Sequence, residues 1–252
     1  MLFVAGILSG GLNALAGGGG FITFPALLYC GVQPILANTS GTIAVWPGLL
    51  ASLFAYRKNL QGDKHPLVRY LVLAVIGSLA GAFLLFFTTN SFFMALLPYL
   101  LLFATVLFIF GRNITARISA YRGRGGAVSS PLPAPVAHAS IFIIAVYGGY
   151  FGGGMGIITL ALLTLLGMKD IHEMNALKSL LVVVINGACV AAFIIGGKVA
   201  WPECLVMTGG CAIGGYGAGR MVLKVDPAII RRGIGVIAVG MTLYFFFKAY
   251  WP

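Results

Sequence analysis

Apolar residues fill eight long runs, at about 2–31, 35–56, 67–88, 92–111, 137–167, 173–196, 204–223 and 229–249, with short polar gaps between them. A helix needs about 20 apolar residues to cross the hydrocarbon core of a bilayer. Six runs have that length and predict spanning helices. The other two, 2–31 and 137–167, are longer and broken by glycine: Gly17-Gly18-Gly19-Gly20 in the first, Gly152-Gly153-Gly154 and Gly156 in the second. Successive glycines disfavour a helix interior and let the backbone break. Each broken run therefore predicts two short helices, 2–16 with 21–31 and 137–151 with 157–167. At about 1.5 Å per residue, none of these pieces crosses alone.

The two broken runs are alike. GGGGFITFPALLYCG from Gly17 to Gly31 aligns with GGMGIITLALLTLLG from Gly153 to Gly167, pairing Gly20 with Gly156 and Thr23 with Thr159; one added residue pairs Asn38 with Asn175. The chain reads as an internal duplication: a first repeat at 1–111, a linker at 112–136 and a second repeat at 137–252. Each copy holds one broken segment and three full spans. The linker carries Arg112, Arg117, Arg122 and Arg124 without an acid, and is rich in glycine, serine and proline. It reads as a flexible cytoplasmic loop.

Composition agrees with a membrane protein. Hydrophobic residues make up 60% of the chain and charged residues 8%, against about 25% charged in soluble domains. Sixteen basic residues against five acids give a net charge of +11. In a membrane protein such an excess reports orientation rather than nucleic-acid binding. In the first copy the bases lie in the second connection (Arg57, Lys58, Lys64, with Arg69 just beyond), and the third, 88–91, has none. In the second copy Lys198 and Glu203 cancel, and Arg220, Lys224, Arg231 and Arg232 flank the next connection against Asp226 alone. Corresponding connections thus fall on opposite faces, the mark of an inverted-topology repeat. An all-α polytopic protein follows, with six crossing helices, two re-entrant hairpins and both termini outside. The competing arrangement lets each long run cross once, giving eight spans and cytoplasmic termini.

Candidate chemistry centres on the two breaks. A broken helix leaves free N–H groups and a positive dipole end at the start of its second half, which suits an anion without any cationic side chain. Gly18, Gly19, Gly20, Gly153, Gly154 and Gly156 would supply the backbone, and Thr23 and Thr159 hydroxyls. Asn38 and Asn175 stand at the start of the following spans, where N-capping competes with substrate contact. Thr39, Ser40 and Thr42 add hydroxyls in the first copy. Lys178 is the cation placed within a span, a functional candidate because an intramembrane lysine is unfavourable by about 2.5–3.5 kcal/mol. His172 and Glu173 read as an interfacial turn that reaches Lys178 only if it pairs. Tyr147, Tyr150 and Phe151 precede the second break as packing residues or an aromatic gate. All five acids (Asp63, Asp170, Glu173, Glu203, Asp226) lie in or beside gaps, which argues against a mid-membrane carboxylate relay. No catalytic constellation, metal-ligand spacing or cofactor motif is present in the sequence, and no enzyme is expected.

At these residues the chain resembles the TauE/SafE family of sulfite and organosulfonate exporters. The likeness rests on the glycine-rich run Gly10–Gly31 with Pro25-Ala26-Leu27-Leu28, on Tyr147-Gly148-Gly149-Tyr150-Phe151-Gly152-Gly153-Gly154-Met155-Gly156, on His172-Glu173-Met174-Asn175-Ala176-Leu177-Lys178, and on Gly214-Gly215-Tyr216-Gly217-Ala218. It implies secondary export of a small sulfur oxyanion across a bacterial inner membrane. The expected cycle is alternating access, one copy rocking against the other around a site between the breaks. Protons stand as a candidate coupling ion and a homodimer as a candidate assembly. A channel or facilitator, and a membrane assembly subunit that transports nothing, are the competing classes.

Overall fold

The computed structural model describes the chain except at residues 17–18, 57–63, 124–131, 169, 222–226 and 251–252; at 14–16, 55–56, 64–66, 112, 114–115, 118–119, 121–123, 171, 217–221, 227–232 and 234 only the backbone is described. The described residues include ten α-helices: α1 (Leu2–Ala16), α2 (Gly20–Tyr29), α3 (Pro34–Tyr56), α4 (Lys64–Phe87), α5 (Asn90–Gly123), α6 (Ala134–Tyr150), α7 (Met155–Leu165), α8 (Ile171–Ile195), α9 (Trp201–Met221) and α10 (Pro227–Tyr250). Both long runs are split, as the glycines predict. Among the described residues, Leu67–Phe87, Asn90–Gly111 and His172–Ile195 are long and apolar enough to cross a membrane. α3 has the length, but its early turns hold Asn38-Thr39-Ser40-Gly41-Thr42. Large apolar side chains face outward, among them Phe83 and Phe87 on α4, Phe103 and Phe110 on α5, and Leu243 and Phe247 on α10. With a bilayer as solvent this outer surface needs no cover.

Side-chain pairings set the direction of every helix. The Ser9 hydroxyl donates to the carbonyl of Gly19, ten residues on, at 2.9 Å, so the chain doubles back after α1. α1 lies along α9 in the same direction: Gly210 meets Phe3, Gly214 meets Ile7 and Gly10 meets Cys211, backbone against backbone. α2 returns along α5, with Phe21 on Phe108 at 6.1 Å and Phe24 on Phe93 at 6.2 Å between ring centres. The second broken run repeats this. α6 lies along α4, with Gly77 against Phe142 and Ala145, and Gly81 against Val146 and Tyr150. The chain reverses so that Met155 covers Gly148, and α7 follows α5 onward, Gly154 at Ala104 and Ile157 at Gly111. α5 is followed in opposite senses by α2 and α7, so the two hairpins open to opposite ends of the bundle. Met1, the α4–α5 turn, the α8–α9 turn and Tyr250 share one end, called here the terminal end. The last turns of α3, α5 and α9 and the first turns of α4, α6 and α10 share the other, the linker end.

The main packing survives exchange of the halves. α1 on α9 matches α6 on α4, and α3 on α9 matches α8 on α4; α5 on α7 matches α10 on α2, while α3–α8 and α5–α10 map onto themselves. The tightest seams therefore run between the halves. Glycine lets two backbones approach in each, which is how helices associate where no hydrophobic effect drives them together. By packing, the helices divide differently from the two sequence copies. α1, α3, α4, α6, α8 and α9 form one extensively packed body. α5 and α10 form a pair, joined by a Thr105–Thr242 hydroxyl contact of 3.0 Å and by Tyr99–Tyr250. That pair meets the larger body chiefly through the half-helices α7 and α2.

Candidate substrate site

The second break is built on two glycines in the left-handed region, Gly152 (φ 78°) and Gly154 (φ 72°). An L side chain is disfavoured there by about 1–2 kcal/mol, so the glycine cluster is what permits this turn. The Tyr147 hydroxyl donates to the Gly153 carbonyl, fixing the turn against α6. In the first break the Gly19 carbonyl accepts from both the Ser9 hydroxyl and the Thr23 N–H, at 2.9 and 3.1 Å. Both breaks border one stretch of α5: Phe21, beside the first, packs on Phe108, and Gly153 and Gly154 face Ala104. Four residues of helix rise about 6 Å, so the breaks lie at nearly the same depth.

Around this level the expected residues gather in two groups. Thr23 is buried and faces Gly41 on α3. Lys178 on α8 is half-buried, runs past Gly156, and its Nζ donates to Asn175 Oδ1 at 2.9 Å. Gly41 stands in the first run's alignment where Lys178 stands in the second, so the two candidate groups differ by that lysine. The groups are bridged by Asn38, whose amide donates to the Tyr150 carbonyl at 3.1 Å, from the first half to the second. Gly20 has open space where a side chain would project. Gly18 lies outside the described residues.

Three expectations change. Asn38 and Asn175 do not begin their helices: α3 starts at Pro34 and α8 at Ile171, each asparagine sits about one turn inside, and the cap of α8 is Asp170, whose carboxylate accepts the His172 N–H at 2.7 Å. Proline fixes the φ of a first helical position, and Asp170 was the better capping residue in the sequence. Thr23 and Thr159 do not present free hydroxyl protons; they donate to the carbonyls of Gly19 and Met155, at 3.4 and 2.9 Å. Thr39 turns away from both breaks, its hydroxyl on the carbonyls of Ile35, Leu36 and Lys198. Ser40 does the same work beside it, accepting the Ala200 N–H at 2.9 Å. These hydroxyls tie α3 to the α8–α9 turn.

Sequence reasoning missed Ser9 and the cross-half role of Asn38. Ser9 carried no signal beyond being a polar residue in an apolar run. Tyr150 was noticed as an aromatic, but the group Asn38 holds is its carbonyl, which no sequence pattern marks. Among the described residues there is no cluster of three or more histidine, cysteine or acidic side chains able to hold a metal.

Two glycine-broken helices packed against α5, with Lys178 beside the second, are the kind of discontinuous helix pair that transporters place around a substrate. Residues 2–245 match the family model described as "Sulfite exporter TauE/SafE", and the chain belongs to that family. It is 29% identical over 256 residues to a "Probable membrane transporter protein" of Haemophilus influenzae, covering 100% of this chain and 95% of that protein. It is 26% identical over 244 residues to the "Probable membrane transporter protein YfcA" of Escherichia coli K12, covering 96% and 87%, and 24% identical over 243 residues to the "Probable membrane transporter protein ORF9" of a Sinorhizobium species, covering 96% and 90%. No solved structure matches the chain. The protein is a membrane transporter of the TauE/SafE family.

Proposed function

We propose that the protein is a secondary transporter exporting a small sulfur oxyanion, sulfite or an organosulfonate, across the bacterial cytoplasmic membrane. The observation that carries this reading is the meeting of the two glycine breaks at one depth on α5, with Lys178 beside Gly156. Backbone N–H groups around Gly18–Gly20 and Gly153–Gly156 hold the anion, and Lys178 balances its charge. Asn38 and Asn175 act beside them by positioning, one on the lip of the second break and the other on the lysine. The family description supplies the substrate class.

The fold reads as two inverted repeats, 1–111 and 137–252, around the linker 112–136. The hairpins that open to opposite ends and the packing that survives exchange of the halves support this. The basic residues cluster in the segments that follow α3, α5 and α9, whose last turns share the linker end, and by the positive-inside rule this supports a cytoplasmic linker end with both termini outside. Access alternates by movement of the α5–α10 pair against the six-helix body, because that boundary is lined by both half-helices and the seams between the copies are too closely packed to open.

Flux of sulfite in proteoliposomes tests the function. Efflux should saturate with substrate, and should respond to an imposed potential as an anion's movement does. Flux that never saturates would make the chain a channel, and the absence of both flux and anion binding would leave the assembly-subunit reading. An imposed pH gradient that leaves the rate unchanged excludes proton coupling.

A further inference from the structure

A hollow of about 460 Å³ opens at the terminal end, lined by Gln33, Ile35 and Leu36 from the start of α3, Thr88, Thr89 and Asn90 from the α4–α5 turn, and Gly197 and Lys198 from the α8–α9 turn. This volume falls within the range of ligand pockets, about 300–1,000 Å³. A water takes about 30 Å³ of liquid, so a small oxyanion fits with much of its hydration shell.

Three chain segments are held together to make this hollow. The Ile35 N–H donates to Asn90 Oδ1, and Asn90 Nδ2 to Gln33 Oε1, both at 3.1 Å. The Lys198 carbonyl accepts from Thr39, and the Ala200 N–H donates to Ser40, so the α8–α9 turn is fastened to the same stretch of α3. The charge on this rim is one-sided. Lys198 is exposed, and among the described residues no side chain pairs with its ammonium group. No acid lines the hollow; Glu203 stands on the first turn of α9, outside the lining. The Gln33 amide NH₂ likewise has no partner among the described residues. Cation and amide donors thus face a polar hollow that contains no carboxylate to repel an anion.

The hollow also adjoins the second break. Thr88 lines it, and the Thr88 hydroxyl lies 3.3 Å from that of Tyr150. Tyr150 is the residue whose carbonyl Asn38 holds, and its ring packs on Phe93 at 6.0 Å. Tyr150, which ends α6 just before the second break, therefore reaches from that break toward the hollow.

We propose that this hollow is a second station for the transported anion, an outer vestibule in which Lys198 and Gln33 receive a small oxyanion. The proposal rests on the transport reading above and adds a site distinct from the breaks. Tyr150 is then the partition that an anion passes between the two stations.

Calorimetric titration of the purified protein with sulfite, and in parallel with sulfate, tests it. Wild-type protein should bind sulfite in two phases. Lys198→Gln should weaken the weaker phase about two- to fivefold, the range for one exposed charge, and leave the Lys178-dependent phase unchanged. Lys198→Arg should restore it, and raised ionic strength should weaken it as screening requires. Lys178→Met should have the complementary effect. A single phase in wild type, or a weaker phase indifferent to Lys198→Gln, overturns the vestibule while the site between the breaks stands. No sulfite or sulfate binding at either station overturns both. Lys198 is exposed, so its variants keep the fold, and an unchanged thermal midpoint checks this.

Discussion

Replacing Lys178 with methionine separates a substrate-binding lysine from a structural one, because the two roles move stability in opposite directions. The side chain is half-buried within a spanning helix, and its one described partner is the neutral oxygen of Asn175 at 2.9 Å. An intramembrane lysine is unfavourable by about 2.5–3.5 kcal/mol, while a hydrogen bond to a charged group returns about 1.5–3 kcal/mol. Methionine keeps the length and removes the charge, so the variant should be as stable as wild type or more stable by up to about 2 kcal/mol. Anion binding should fall. Unit charges about 4 Å apart interact by about 4 kcal/mol at an effective dielectric near 20, and truncating one partner of a buried charge pair is measured at about 2–5 kcal/mol. A loss of about 2–4 kcal/mol weakens binding by about 30- to 1,000-fold. Calorimetric titration with sulfite reads the first effect, and thermal unfolding in the same detergent reads the second. Sulfite affinity within threefold of wild type would refute the role of Lys178. Loss of affinity together with a lowered thermal midpoint would make the lysine structural.

Two other expectations follow from the geometry. Gly20→Ala meets nothing within 4 Å, so it should fold normally and gain about 0.4–1 kcal/mol from a less flexible unfolded chain, yet lower sulfite flux at least tenfold where the anion approaches that backbone; Gly154→Ala, at φ 72°, should instead lose about 1–2 kcal/mol of stability, and unfolding midpoints that rank the two the other way would contradict the break as described. Cys30 is the exposed cysteine at the terminal end, while Cys189, Cys204 and Cys211 are buried, so a membrane-impermeant maleimide added to intact cells should label wild type and not Cys30→Ser, and labelling only after lysis would place the terminal end in the cytoplasm and reverse the orientation.

Several features were legible because they depend on local composition. The split of each long run was written in its glycines, and the observed helices α1 with α2 and α6 with α7 begin and end within a few residues of the expected pieces. The likeness of the two glycine runs is read the same way, since Gly20, Thr23 and Gly31 align with Gly156, Thr159 and Gly167 without reference to any contact. Roles that depend on a partner were less legible. Thr23, Thr159 and Thr39 are polar residues near a break in the sequence, but a hydroxyl proton goes to whichever carbonyl the fold brings nearest. For Thr23 and Thr159 that is the carbonyl four residues back, and Thr39 adds to the carbonyls of Ile35 and Leu36 in its own helix that of Lys198 in the α8–α9 turn.

The sequence by itself determined that this is a helical membrane protein whose two long apolar runs are each broken at glycine. Those properties follow from how much apolar surface each segment carries and from where the backbone loses its helical preference. Only the tertiary structure decided which helices belong together. Glycine seams join α1 to α9 and α6 to α4, across the halves, because backbones approach most closely where both faces lack side chains, and a single sequence does not say which bare face meets which. That pairing brings the two breaks to one depth on α5 and leaves α5 and α10 as the pair apart. It also assembles the terminal-end hollow from three turns that are distant in the chain, where Lys198 stands beside residues of α3 and the α4–α5 turn.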